Sequence, residues 1–113
     1  MSVTTFAAPI LPGQTDAWKA AIAEINGPRL AEYQAARRAI GITREVATLQ
    51  ETPDGDFAAV FIEGDDAANA LQRMVDDGSD FHAWFRQAIL VDCHGMDLNN
   101  LPSGSPATID LLA

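Results

Sequence analysis

Positive charge is scarce in this chain and almost missing from its second half. Residues 1–50 hold five Lys or Arg against four Asp or Glu, and residues 51–113 hold two against twelve. The formal charge of −9 therefore sits mainly in the second half. Such a field repels phosphate backbones and anionic membrane surfaces, whose binding depends on cations displacing counterions. Neither nucleic acid nor membrane is expected as a partner. There is one cysteine, Cys93. It leaves no intrachain disulfide and fits a reducing compartment, so the expected location is cytoplasmic. No basic residue precedes Lys19, and no apolar run approaches the roughly 20 residues that span a bilayer, so no secretory signal or membrane anchor is expected. Gly-x-Gly-x-x-Gly, P-loop and His-Glu-x-x-His strings are absent, which removes the commonest nucleotide and zinc signatures.

What the chain does have is 48% hydrophobic residues in 113, enough for one ordinary domain over 1–113. The acidic residues Asp65, Asp66, Asp76, Asp77 and Asp80 fall where helices begin or end, a capping and solubility role. Its most informative stretch is Ile42 to Gly64, two strand-like runs joined by the turn Thr52-Pro53-Asp54-Gly55. In the second run Phe57, Ala59 and Phe61 point one way and Ala58, Val60 and Ile62 the other, so both faces are apolar. A sheet apolar on both faces needs two covers. Helices supply one, and a second copy of the chain most simply supplies the other.

Around this hairpin the pattern is regular. Val3 to Ile10 alternates as a first strand, ended by Pro9 and Pro12. Thr15 is a candidate N-cap for a helix running to about Ile40, with Trp18, Ile22, Ile25, Tyr33, Ala36 and Ile40 in one stripe. Gly27-Pro28 should kink or restart it, because proline lacks the amide proton and would clash with the Glu24 carbonyl. Gly41 stops the helix, and a phase change in the second strand between Val46 and Ala47 suggests a bulge. Asp65 or Asp66 can cap a helix carrying Ala67, Leu71, Met74 and Val75, and Ser79 can cap the next, with Phe81, Trp84, Phe85, Ala88 and Ile89 in a stripe. Gly95 ends it. After a polar loop, Ala107 to Leu112 reads as a short last strand.

That order predicts an α+β fold: a ferredoxin-like β-α-β-β-α-β unit with a four-stranded antiparallel sheet and an extra helix before the last strand. The long helix after Pro12-Gly13, the hairpin ending Phe61-Ile62-Glu63-Gly64 and the aromatic segment Phe81-His82-Ala83-Trp84-Phe85-Arg86 together resemble the dimeric α/β-barrel superfamily. The likeness covers most of residues 3 to 112. It implies a homodimer in which two four-stranded sheets face each other. It implies no reaction, since members include cofactor-free monooxygenases, isomerases, haem-binding proteins and proteins without known activity.

The candidate ligand-binding residues are Arg29, Tyr33, His82 and Trp84. If the first helix continues past Pro28, Arg29 falls between Ile25 and Tyr33 on the buried face. There an unpaired guanidinium is expensive, so an anionic ligand, Glu32 or the kink must compensate. His82 sits at the margin of the aromatic stripe, either as a base near neutral pH or as a solvent-facing first-turn residue. Trp84 offers a flat apolar surface, though core packing is the plainer role. Arg86, off the stripe, suits a surface ion pair. Adjacent Cys93 and His94 diverge by about 100° on a helix and make no facing pair, so neither a metal site nor a Cys-His nucleophile is read here, and no cofactor is implied. The leading functional reading is a small-molecule-binding or non-catalytic homodimer. A cofactor-independent monooxygenase or isomerase acting on a small apolar or aromatic compound comes second, and a haem-handling protein third.

Overall fold

The computed structural model describes all residues, 1–113. Three antiparallel strands form its sheet: β1 (Ser2–Pro9), β2 (Ile42–Thr52) and β3 (Gly55–Gly64), in the order β1-β3-β2. The strand richest in Phe, Val and Ile is thus central, paired with β2 along its whole length and with β1 from Phe57 to Gly64. The hairpin closes as its turn residues require. Thr52 Oγ1 donates to the Gly55 carbonyl (2.7 Å) and accepts from the Asp54 amide (3.2 Å), while Gly55 takes a φ of +126° that a side chain would resist.

The expected four-stranded ferredoxin-like sheet is not what forms. Ser105 makes a single bridge with Thr5 on the free edge of β1, exchanging backbone hydrogen bonds of 2.9 and 2.8 Å, and no ladder follows. Residues 106–113 are all exposed, with Leu112 fully so. Ordering a strand there would cost backbone entropy with no buried apolar surface to offset it. Asp110 also interrupts the apolar run.

Two helices replace the expected first one, α1 (Thr15–Asn26) and α2 (Leu30–Ala39), with the break at Gly27-Pro28. The chain restarts rather than bends. The expected Thr15 cap is displaced: Gln14 holds the cap position, and the Thr15 hydroxyl donates instead to Asp56 Oδ2 at 2.6 Å, tying α1 to β3. The β2 irregularity lies between Ile42 and Arg44, not at Val46-Ala47. Close contact explains part of that end of the sheet, since a Cβ on Gly64 would collide with the Gly41 carbonyl.

Beyond β3, a 3₁₀ turn (Ala67–Asn69) leads into α3 (Ala70–Asp76), and α4 (Asp80–Phe85) runs on into a π-helical segment, Arg86–Val91. Asp66 gives no side-chain cap; its carboxylate takes Asn69 and Arg73 instead. Ser79 does cap α4, accepting the His82 amide at 3.2 Å. The helices lie on one face of the sheet, where Phe81, Phe85, Met74, Leu71 and Ile89 meet Ala8, Ala58 and Ile62 in a single core. Each of the larger side chains contributes about 1.5–3 kcal/mol by leaving water. On the opposite face, rows such as Thr5-Phe61-Val46 and Ala7-Ala59-Thr48 carry no helix. No helix is long and apolar enough to cross a membrane.

Candidate functional site

A cavity of about 370 Å³ lies between the helices and the sheet, and 17 of its 21 lining residues are hydrophobic. Its floor is the inner face of the sheet, with Phe6, Ala8, Ala47, Ala58 and Val60. Its walls include Trp18 and Ile22 of α1, Tyr33 of α2, and Phe85 and Ile89 after them. The volume is that of a small-ligand site.

One corner is polar. Arg37, buried on α2, pairs with Glu45 of β2, Nε to Oε1 at 2.8 Å, and the Tyr33 hydroxyl donates to the same oxygen at 2.9 Å. The i, i+4 spacing of Tyr33 and Arg37 stacks both over the inward position that Glu45 occupies. Aromatic rings hold the guanidinium in place, its Cζ standing 4.3 Å from the Phe85 centroid and 5.1 Å from that of Tyr33. Burial, and then the negative charge of Glu45, push the Tyr33 phenol far up, so it stays a hydrogen-bond donor. Arg37 Nη1 is buried with no acceptor.

A histidine completes the lining. His94 Nδ1 lies 2.8 Å from the Pro9 carbonyl, which can only accept, so this nitrogen carries the proton and Nε2 keeps a lone pair. Burial lowers the His94 pKa against the opposing effect of that hydrogen bond, favouring the neutral ring.

Of the four residues singled out in the sequence, Tyr33 alone lines the cavity. Phe81 stands at the centre of the group, with the rings of Tyr33, His82 and Trp84 at 5.8, 5.6 and 5.7 Å from its own. All three pack against it, but His82 and Trp84 do not reach the cavity that Tyr33 lines. Arg29 lies at the surface, 2.9 Å from Glu24 and 3.5 Å from Glu32, with its guanidinium 4.3 Å over the Trp84 ring. That arrangement settles the charge without a buried partner. His82 is not solvent-facing but fully buried, its Nδ1 donating to Asp77 Oδ2 at 2.6 Å. Burial, joined by the positive charges of Arg37 and Arg86, lowers its pKa against the pull of Asp77, and Nε2 has no partner. Asp77 is held down at about 2 by hydrogen bonds from Ser79 and then from His82. Arg86 makes no surface ion pair; its Nη1 donates to the carbonyls of Met74 (3.1 Å) and Asp77 (2.7 Å) at the end of α3. Cys93 is buried, its thiol donating to the Ala88 carbonyl and pushed up by burial, and no group of three His, Cys, Asp or Glu is placed to hold a metal ion.

Sequence reasoning missed Arg37, Glu45 and His94. Two signals were readable: Arg37 follows Tyr33 at helical spacing, and Glu45 shares its strand face with Ala47 and Leu49. No protein-family model, curated protein or solved structure matches the chain.

Proposed function

We propose that this protein is a small-molecule-binding homodimer whose ligand occupies the cavity between helices and sheet. The observation that carries the reading is the cavity itself: about 370 Å³, lined mainly by apolar residues, with a preformed buried ion pair at one corner. Saturation-transfer NMR against a panel of compact apolar compounds tests the proposal. Saturable binding of one molecule per chain is expected, and it should be lost in Ala47→Phe, which places a ring in the cavity from the edge strand. Absence of saturable binding to the wild type would sink the reading.

The dimer part of the proposal rests on the helix-free face of the sheet. Phe57, Ala59 and Phe61 sit there only half-buried, flanked by Pro9, Ala7 and Thr5 on one side and Gln50, Thr48 and Val46 on the other. Charge is confined to the Arg44-Glu63 pair at one end. Such a surface is self-complementary for a two-fold partner. Kinship with the dimeric α/β-barrel superfamily belongs to the same proposal, supported by the helices on one face and the apolar face opposite, with the superfamily's fourth strand missing. Sedimentation equilibrium should give a dimer at micromolar concentration and a monomer for Phe61→Glu; a monomeric wild type contradicts it.

A second reading, a cofactor-independent enzyme on a small apolar or aromatic compound, is favoured by one observation. His94 lines the cavity with its Nε2 lone pair uncommitted. A general base in such a position would make His94→Gln lose turnover while keeping ligand affinity. A haem role, third in rank, would have to rest on His94, since His82 does not line the cavity.

A further inference from the structure

The polar corner of the cavity is one hydrogen-bonding partner short. Glu45 Oε1 is fully engaged, receiving both the Tyr33 hydroxyl and Arg37 Nε, but Oε2 has only a loose 3.5 Å contact with Arg37 Nη2. On the same guanidinium, Nη1 is buried without an acceptor, and the Arg37 side chain is only 3% exposed. The corner therefore holds one unused donor and one underused acceptor.

Charge narrows what can fill it. Arg37 and Glu45 are the only charged residues lining the cavity, and they cancel. Tyr33 stays neutral, and so does His94. A ligand carboxylate would gain Arg37 but lie against Glu45; an ammonium would gain Glu45 but lie against Arg37. Either would leave an unbalanced charge against a mostly apolar wall, where such charges are costly. A hydroxyl has neither fault. Its hydrogen goes to Oε2 and its oxygen takes the Arg37 side of the corner, adding no net charge.

Building on the small-molecule reading above, we infer that the ligand is an uncharged molecule with a compact apolar body and one hydroxyl group, recognised by Arg37 and Glu45. The body fills the space over Ala47, Ala58 and Val60, and the hydroxyl completes the corner.

A rigid isosteric series tests this on the whole chain by isothermal titration calorimetry: 1-adamantanol, 1-methyladamantane, adamantane-1-carboxylate and 1-adamantylammonium. The alcohol is expected to bind about tenfold more tightly than the methyl compound, the worth of a hydrogen bond to a charged group, and both ions more weakly still. If the methyl compound matches the alcohol, the cavity reading stands and the hydroxyl inference falls. If either ion binds best, the inference falls too. Failure of all four to bind overturns the cavity reading itself. Glu45→Gln leaves Arg37 unbalanced, so the carboxylate should overtake the alcohol; an unchanged ranking contradicts the assignment. Tyr33→Phe, which keeps the ion pair, should retain the preference for the alcohol and serves as the check if Glu45→Gln does not fold.

Discussion

Two buried polar knots flank Phe81, and they differ in how they are made. Asp77, Ser79 and His82 are neighbours in the chain, tied together at the start of α4 and absent from the cavity lining. Tyr33, Arg37 and Glu45 come from a helix and a strand, and all three line the cavity. The first knot starts a helix. The second lines the cavity. A buried histidine beside a carboxylate has the look of catalytic chemistry, yet here its chain neighbours and its separation from the cavity make it a device of the fold.

The comparison can be broken most forcefully at Arg37. Arg37→Ala leaves the Glu45 carboxylate without its partner and should cost about 3–5 kcal/mol in urea denaturation, whereas the double change Arg37→Met with Glu45→Leu should recover most of that loss. A single-variant cost below about 1 kcal/mol would mean that the pair is not held as described.

His82→Ala comes next, at about 2–3 kcal/mol from lost ring packing and a lost hydrogen bond to a charged group, with no change in ligand binding. Its pH dependence follows from the direction of two shifts. Folded His82 takes a proton less readily than its usual 6.5, so the unfolded chain binds more protons below that value and stability falls as the pH drops through it. Asp77 moves from 3.8 to about 2, so its contribution is present above about 4 and is lost as the pH falls toward 2. His82→Gln should flatten the upper step in denaturation midpoints taken from pH 8 to pH 5. Part of it remains, because His94 is shifted in the same direction.

Smaller effects sharpen the contrast. Tyr33→Phe removes a hydrogen bond to a half-buried carboxylate and should cost about 1.5 kcal/mol. Arg29→Ala, whose ion pairs and Trp84 stacking lie at the surface, should cost less than about 1 kcal/mol. A larger loss for Arg29 than for Tyr33 would reverse the assignment of surface and site.

What could be read from the sequence was what is local. The hairpin at Pro53-Asp54-Gly55, the break at Gly27-Pro28 and the Ser79 cap are each decided by a few adjacent residues, and each formed. The last strand was misread because alternation in Ala107–Leu112 says nothing of whether surface remains to bury; helices already cover the inner face, and pairing stops at Ser105. Arg29 drew attention by its helical phase, but the restart at Leu30 turned it toward Glu24 and Trp84. The same phase argument carried one turn past Tyr33 would have reached Arg37. Its pairing with Glu45 depends on α2 lying over β2, a tertiary fact that periodicity does not contain.

The central claim is that the cavity with its Arg37-Glu45 corner, and not the His82 knot, is where this protein meets a ligand. Amide and side-chain NMR shifts on titration with 1-adamantanol test it most directly. The account predicts that the Trp18 indole, Arg37 Nε and the amides of Ala47 and Ala58 move together and saturate, while Asp77, Ser79 and His82 stay still. Shifts centred on His82 and Asp77, with the Arg37 and Trp18 signals unmoved, would contradict it.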